Sequence, residues 1–148
     1  MGEEKEGVLS MWVGTIPNTT YEQFHKEWME EKYNTGNLDE EGFSKFMLTY
    51  NTGWYDHDFQ DIRFTEEPIL FSKFIKDCSY YESYANKAIE VANKKKIQKC
   101  NTIIIVFDFE HQEVQREKGE NQSLTFLGTF PYKVVFSKEL LSILRKKP

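Results

Sequence analysis

At 148 residues, with 39% hydrophobic and 29% charged side chains, the chain is long enough to bury a core without metal or disulfide staples, and its balance is that of a soluble globular protein. A net charge of −5 argues against nucleic acid as the main partner. The two cysteines, Cys78 and Cys100, are too few for a disulfide framework, lack a C-x-x-C spacing and are expected as buried thiols of a reducing compartment.

Residues 1–7 read as a charged, frayed end with no apolar run of export-signal length behind them, so a cytoplasmic protein is expected. Val8 to Ile16 reads as a strand stopped by Pro17-Asn18, with Gly14 marking a bulge or a close backbone approach. Thr19-Thr20-Tyr21-Glu22 has the spacing of a capping box between Thr19 and Glu22, opening a helix to about Lys32 with Phe24 and Trp28 on one face. Asn34-Thr35-Gly36-Asn37 reads as a turn. Asp39 is placed to cap a short helix whose Phe43, Phe46 and Met47 share a face, and Asn51-Thr52-Gly53 breaks it. Asp58 to Phe64 alternates weakly, as a loop running into a strand.

Glu67-Pro68 has the form of a helix start, followed by a buried stripe of Leu70, Phe71, Phe74 and Ile75. Ser79-Tyr80-Tyr81-Glu82 repeats the capping-box pattern and opens the longest helix, with Tyr81, Tyr84, Ala85, Ala88, Ile89 and Ala92 on one face for close packing on a sheet. Lys94, Lys95, Lys96 and Lys99 stand where that helix ends and where cations meet the negative end of its dipole. In Asn101 to Phe109, the run Ile103-Ile104-Ile105-Val106 predicts a strand covered on both faces; as the longest apolar run, through Phe107, it is far too short to span a bilayer. His111 to Gln122 is a polar connection, and Leu124 to Phe130 a partner strand with a bulge at Gly128. Val134 to Phe136 continues it past Pro131, and Ser137 caps a last helix through Leu140, Leu141 and Leu144. This order predicts one α+β domain over residues 1–148, with a mixed or mainly antiparallel sheet and helices packed on it.

The candidate functional stretch is Trp54 to Phe64. It lies in an acidic half: residues 1–67 hold 15 Asp and Glu against 5 Lys and Arg, net −10, while residues 68–148 hold 9 against 14, net +5. Rings among acids suit a basic partner. Asp56-His57-Asp58 has the residue types of a metal or acid–base site. In an extended chain, however, His57 points away from both aspartates, and no spacing brings in His25 or His111. No catalytic, cofactor-binding or metal-ligating residue is therefore assigned. Trp54, Tyr55, Asp56, Asp58 and Asp61 form the candidate partner-binding group, with Phe59, Ile62 and Phe64 expected in the core and Trp54 or Tyr55 at the surface. Capping accounts for Ser79 without nucleophilic chemistry. Cys78 precedes that helix start with no histidine close in sequence, so an inert thiol is expected. The glycines form no phosphate-binding pattern. A small metal-dependent or acid–base enzyme and a general interaction module stay open beside recognition.

Taken in series, several segments resemble the immunity protein family 22 of bacterial polymorphic toxin systems. They are Leu9-Ser10-Met11-Trp12-Val13-Gly14, Phe43-Ser44-Lys45-Phe46, Tyr55-Asp56-His57-Asp58-Phe59, Cys78-Ser79-Tyr80-Tyr81-Glu82-Ser83, Asn101-Thr102-Ile103-Ile104-Ile105-Val106-Phe107 and Leu124-Thr125-Phe126-Leu127-Gly128-Thr129-Phe130. The likeness covers roughly residues 8–132. It implies a non-enzymatic, cytoplasmic antitoxin without cofactor, encoded beside a secreted toxin and protecting the producer or its kin by binding the toxin domain. Many toxin domains act on nucleic acid and are basic, which would suit the acidic half. Trp12, Gly14, Tyr55, Asp56 and Asp58 match the family pattern, as marks either of fold or of interface.

Overall fold

The strand β3, Lys99–Glu110, is the axis of the molecule, and its residues from Cys100 to Phe107 are all buried. Successive side chains of a strand point to opposite faces. Ile103, Ile105 and Phe107 therefore enter one core, and Ile104 and Val106 enter another. Such a strand needs a neighbour on each edge and a cover on each face. The computed structural model, which describes residues 2–30, 43–112 and 124–134, supplies all four.

The neighbours are β1 (Glu3–Gly14) and β2 (Gln60–Leu70), while β4 (Leu124–Pro131) pairs with the far edge of β1. Among the described residues the order is β2-β3-β1-β4, with every pairing antiparallel, in line with the α+β expectation. One face is covered by α1 (Tyr21–Phe24), which runs on through a π turn (His25–Met29), and by α2 (Lys45–Tyr50). Phe24, Trp28, Phe46 and Met47 pack there with Trp12, Ile104 and Val106. The other face is covered by α3 (Phe71–Phe74), its 3-10 extension (Ile75–Asp77) and α4 (Ala85–Lys94). Tyr84, Ala85, Ala88 and Ala92 bring α4 close to the sheet, as the alanine face predicts.

Local starts and stops differ from expectation in instructive ways. Residues 2–7 are not a frayed end: Glu3 pairs with Glu110, Glu4 with Phe109, and the Gly2 N–H donates to the Thr52 carbonyl at 3.0 Å. The acidic side chains face solvent while the backbone is paired, so polarity disguises the strand. Thr20 rather than Thr19 caps α1, accepting the Gln23 N–H at 3.3 Å while Gln23 accepts the Thr20 N–H. Ser44 caps α2, accepting the Met47 N–H at 3.2 Å. Glu67-Pro68 lies inside β2, not at a helix start. An edge strand tolerates proline, and the pairing of β2 with β3 skips from Phe64 to Ile69 there. Ser79 caps no helix: Tyr80 turns left-handed with φ 60°, a 3-10 turn spans Tyr81–Ser83, and α4 starts only at Ala85. The bulge expected at Gly128 is present, between Met11 opposite Gly128 and Trp12 opposite Phe126. Gly14 pairs regularly with Thr102 and Leu124. The lysines from Lys94 onward do close α4. The first helix, expected to run to about Lys32, ends at Met29, where Glu30 is already extended with ψ 131°. The turn at residues 34–37, Asp39, the connection from Glu113 to Gln122, the extension at Val135 and Phe136 and the helix after Ser137 lie outside the described residues.

A further irregularity of the sheet lies near Asp108. Asp108 adopts φ 55° and Gly7 φ 84°, and the pairing of β1 with β3 shifts between Glu4 and Leu9. Aspartate tolerates the left-handed region better than most side chains, and glycine takes it freely. The Asp108 Oδ1 accepts the Gly7 N–H at 3.0 Å and the Tyr132 hydroxyl at 2.7 Å, and the Gly7 carbonyl accepts the Tyr132 N–H at 3.1 Å. One carboxylate thus ties β1, β3 and the end of β4. The kink also breaks the alternation, sending Phe107 and Phe109 to opposite cores although they are two residues apart. Replacing Asp108 with alanine removes the acceptor of both hydrogen bonds and is expected to cost about 1–3 kcal/mol in urea unfolding, with asparagine costing less because it keeps an oxygen and tolerates the same φ. Equal unfolding midpoints for wild type and Asp108→Ala would contradict this role.

Candidate functional site

The acidic aromatic segment begins where α2 is forced to stop. Asn51 turns left-handed with φ 51°, and Gly53 follows with φ 74°. The chain then crosses the sheet face covered by α1 and α2, and its rings separate. Tyr55 is driven inward, edge-on to Phe46, against Phe109 at 5.8 Å between ring centroids and stacked on His57 at 4.3 Å. Its hydroxyl donates to Gln60 Oε1. Trp54 stays at the surface, 58% exposed. Phe59, expected in the core, is 49% exposed, because a 3-10 turn over His57–Phe59 replaces the alternation that would have buried it. Ile62 and Phe64 pack partly buried against the core, as expected.

The aspartates divide as well. Asp56 and Asp58 are exposed, and the Asp56 carboxylate caps the turn by accepting the Asp58 N–H at 3.0 Å. Asp61, grouped with them by sequence, lies elsewhere. It stands opposite Ile105, whose side chain enters the α3–α4 core, and only 9% of it is exposed. Its carboxylate accepts the Ser79 N–H at 2.9 Å and pairs with the Arg63 guanidinium at 2.8 Å. Strand parity sends it to the opposite face of the sheet from the turn, where it anchors the loop before α4.

Trp54, Tyr55, Asp56 and Phe59 instead meet residues that sequence reasoning left aside. They enclose a cavity of about 150 Å³ together with Glu4 and Val106 to Phe109. Glu4 reaches it only because the first residues pair as strand, and Phe109 only because Asp108 breaks the alternation. A glycine at the boundary between a charged run and an apolar one, Gly7, was the available signal for this bulge. Glu4, Asp56 and Asp108 carry carboxylates, and among the described residues no Lys, Arg or His lines the cavity.

Among the described residues no three His, Cys, Asp or Glu side chains gather as a metal site, and no helix is long and apolar enough to cross a membrane. Both thiols are buried. Burial, with the Asp61 carboxylate adding to it, raises Cys78 far above the ordinary thiol range, so no helix dipole activates it. Burial pushes Cys100 up to about 12.

The fold defines an α+β protein with a four-stranded antiparallel sheet between two helical layers. The chain belongs to the family Immunity protein 22, whose model matches residues 9–133. Membership supports an antitoxin role and implies a toxin as partner. No curated protein and no solved structure matches the chain.

This geometry sets the outcome of two measurements. Asp61→Ala strands the Ser79 N–H and the Arg63 guanidinium and is expected to lower urea stability by about 1–3 kcal/mol, whereas Asp58→Ala stays within about 0.5 kcal/mol. Similar midpoints for the two variants would show Asp61 to be a surface acid. The raised thiol pKa values favour the fold most fully below the unfolded thiol value of about 8.5, a contribution lost as pH rises through the folded values. Native protein at pH 8 should therefore resist iodoacetamide at both cysteines and react at the free-thiol rate once unfolded in urea. Rapid native labelling, read by mass spectrometry, would refute the burial.

Proposed function

We propose that this chain neutralises the toxin domain encoded beside it by binding that domain in the bacterial cytoplasm, without chemistry of its own, and that the surface carrying Trp54, Asp56 and Asp58 makes the contact. The supporting observation is the exposure of two large rings, Trp54 and Phe59, beside the carboxylates of Glu4, Asp56 and Asp108. Exposed aromatic side chains act as interface anchors, because they bury much area at little cost in conformational freedom. Acids around them steer a basic partner and raise the association rate. Tyr55 belongs to this reading as a support: buried under the turn, it holds His57 and the neighbouring backbone in place. Asp61 acts in the reading only through stability.

The test is binding kinetics with the purified toxin domain from the neighbouring reading frame. Reversing both exposed acids, Asp56→Lys with Asp58→Lys, is expected to slow association by about tenfold and to flatten its dependence on salt. Unchanged association and salt dependence in a variant that folds normally would place the contact on another surface.

A further inference from the structure

We propose that the cavity between Trp54 and Phe59 is a socket for one arginine side chain of the partner. The proposal rests on the toxin-binding reading and names the chemistry that the surface would recognise. At about 150 Å³ the cavity is well below the roughly 300–1,000 Å³ of small-molecule sites, and its size suits a single side chain. Its floor is Tyr55, Val106 and Phe109, all buried in the sheet core. Trp54 and Phe59 stand beside that floor half in solvent, and Glu4, Asp56 and Asp108 supply negative charge.

Each part of an arginine finds a counterpart in this lining. Its methylene stem can lie on Val106 and Phe109. Its flat guanidinium can stack on an indole, which attracts a cation through its π face. Its forked donors can take a carboxylate in two parallel hydrogen bonds, stronger than neutral ones. Asp56 suits this role, since the Asp58 N–H already orients its carboxylate through Oδ1. A group held before the partner arrives loses little freedom on binding. Glu4 approaches from β1 and supplies the second acceptor. Asp108 uses its Oδ1 on Gly7 and Tyr132, so it contributes chiefly a fixed negative charge. A lysine fits less well, offering a compact charge without the plane or the fork.

The experiment uses the full chain labelled with nitrogen-15. Its three tryptophans give three indole N–H signals, and Trp54→Phe identifies one by its loss. N-acetyl-arginine methylamide, its lysine analogue and its uncharged citrulline analogue are titrated in turn. A saturable shift of the Trp54 signal is expected with arginine, weaker binding with lysine, and about a tenth of the arginine affinity or less with citrulline. Glu4→Gln and Asp56→Asn should each weaken the arginine response at least about threefold. Equal responses to arginine and citrulline, a response that never saturates, or variants indistinguishable from wild type would overturn the socket. The same variants and Trp54→Ala, each checked for an unchanged urea midpoint, are then measured against the neighbouring toxin domain. Wild-type binding that all three match within twofold sinks the socket and leaves the antitoxin reading standing. A toxin domain that does not bind wild type sinks that reading, while the arginine titration still decides the socket.

Discussion

A strand buried on both faces is the constraint on which the rest of the molecule depends. Between Cys100 and Phe107 no side chain of β3 meets solvent to any large extent. Its backbone hydrogen bonds must be satisfied by β1 and β2, since water cannot reach them. Its alternating isoleucines demand an apolar cover above and below, which explains why the described helices lie on both faces of the sheet rather than gathering on one side. The same demand explains two buried polar clamps at the ends of the central strands. The Asn101 side chain takes both the N–H and the carbonyl of Ile16, at 2.9 and 2.8 Å, and the Ser10 hydroxyl bridges the Phe109 carbonyl and the His111 N–H, each at 2.9 Å. Polar groups in so dry a place persist because each has a partner.

What was legible in the sequence was what depends on local chemistry. Four consecutive β-branched residues announce a doubly covered strand wherever they occur, and alanines at helical spacing announce close packing. Boundaries were less legible. Ser79 and Thr19 each satisfied a capping pattern that a neighbour or a distant partner overrode. In the case of Ser79 the competitor was Asp61, eighteen positions away, whose carboxylate takes the amide that a helix start would have used. Pro68 looked like the first turn of a helix because proline's missing donor suits both a helix start and an edge strand, and only the pairing of β2 distinguishes them.

The candidate site was half legible, for a related reason. Composition located Trp54, Asp56 and Asp58, but strand parity decides which acids of one short segment share a surface, and parity is set by register. Register places Asp61 opposite Ile105 and sends its carboxylate through the sheet. It also brings in Glu4, fifty-two positions before Asp56, because the first residues of the chain pair beside the end of β3. The run of acids in the primary structure and the acids gathered around the cavity are therefore different sets that overlap at Asp56.

This arrangement separates two jobs that one acidic segment could have been asked to combine. A charge inside a packed region must be matched by a fixed partner, and Asp61 with Arg63 and the Ser79 amide meets that condition. A charge that is to meet a partner in solution, as the proposed function asks, must be left without a strong internal counterion; among the described residues no basic side chain lines the cavity, and Lys5, next to Glu4 in sequence, is engaged by Glu110 at 3.0 Å. Steering by such charges acts over roughly a Debye length of 8 Å at physiological salt, so the acids can hasten encounter but hold little once screened. The lifetime of a complex would rest instead on the half-buried rings, whose apolar area is removed from water only on contact. The kink at Asp108 serves both ends: it fastens three strands together, and it turns Phe109 to make the floor on which those rings stand.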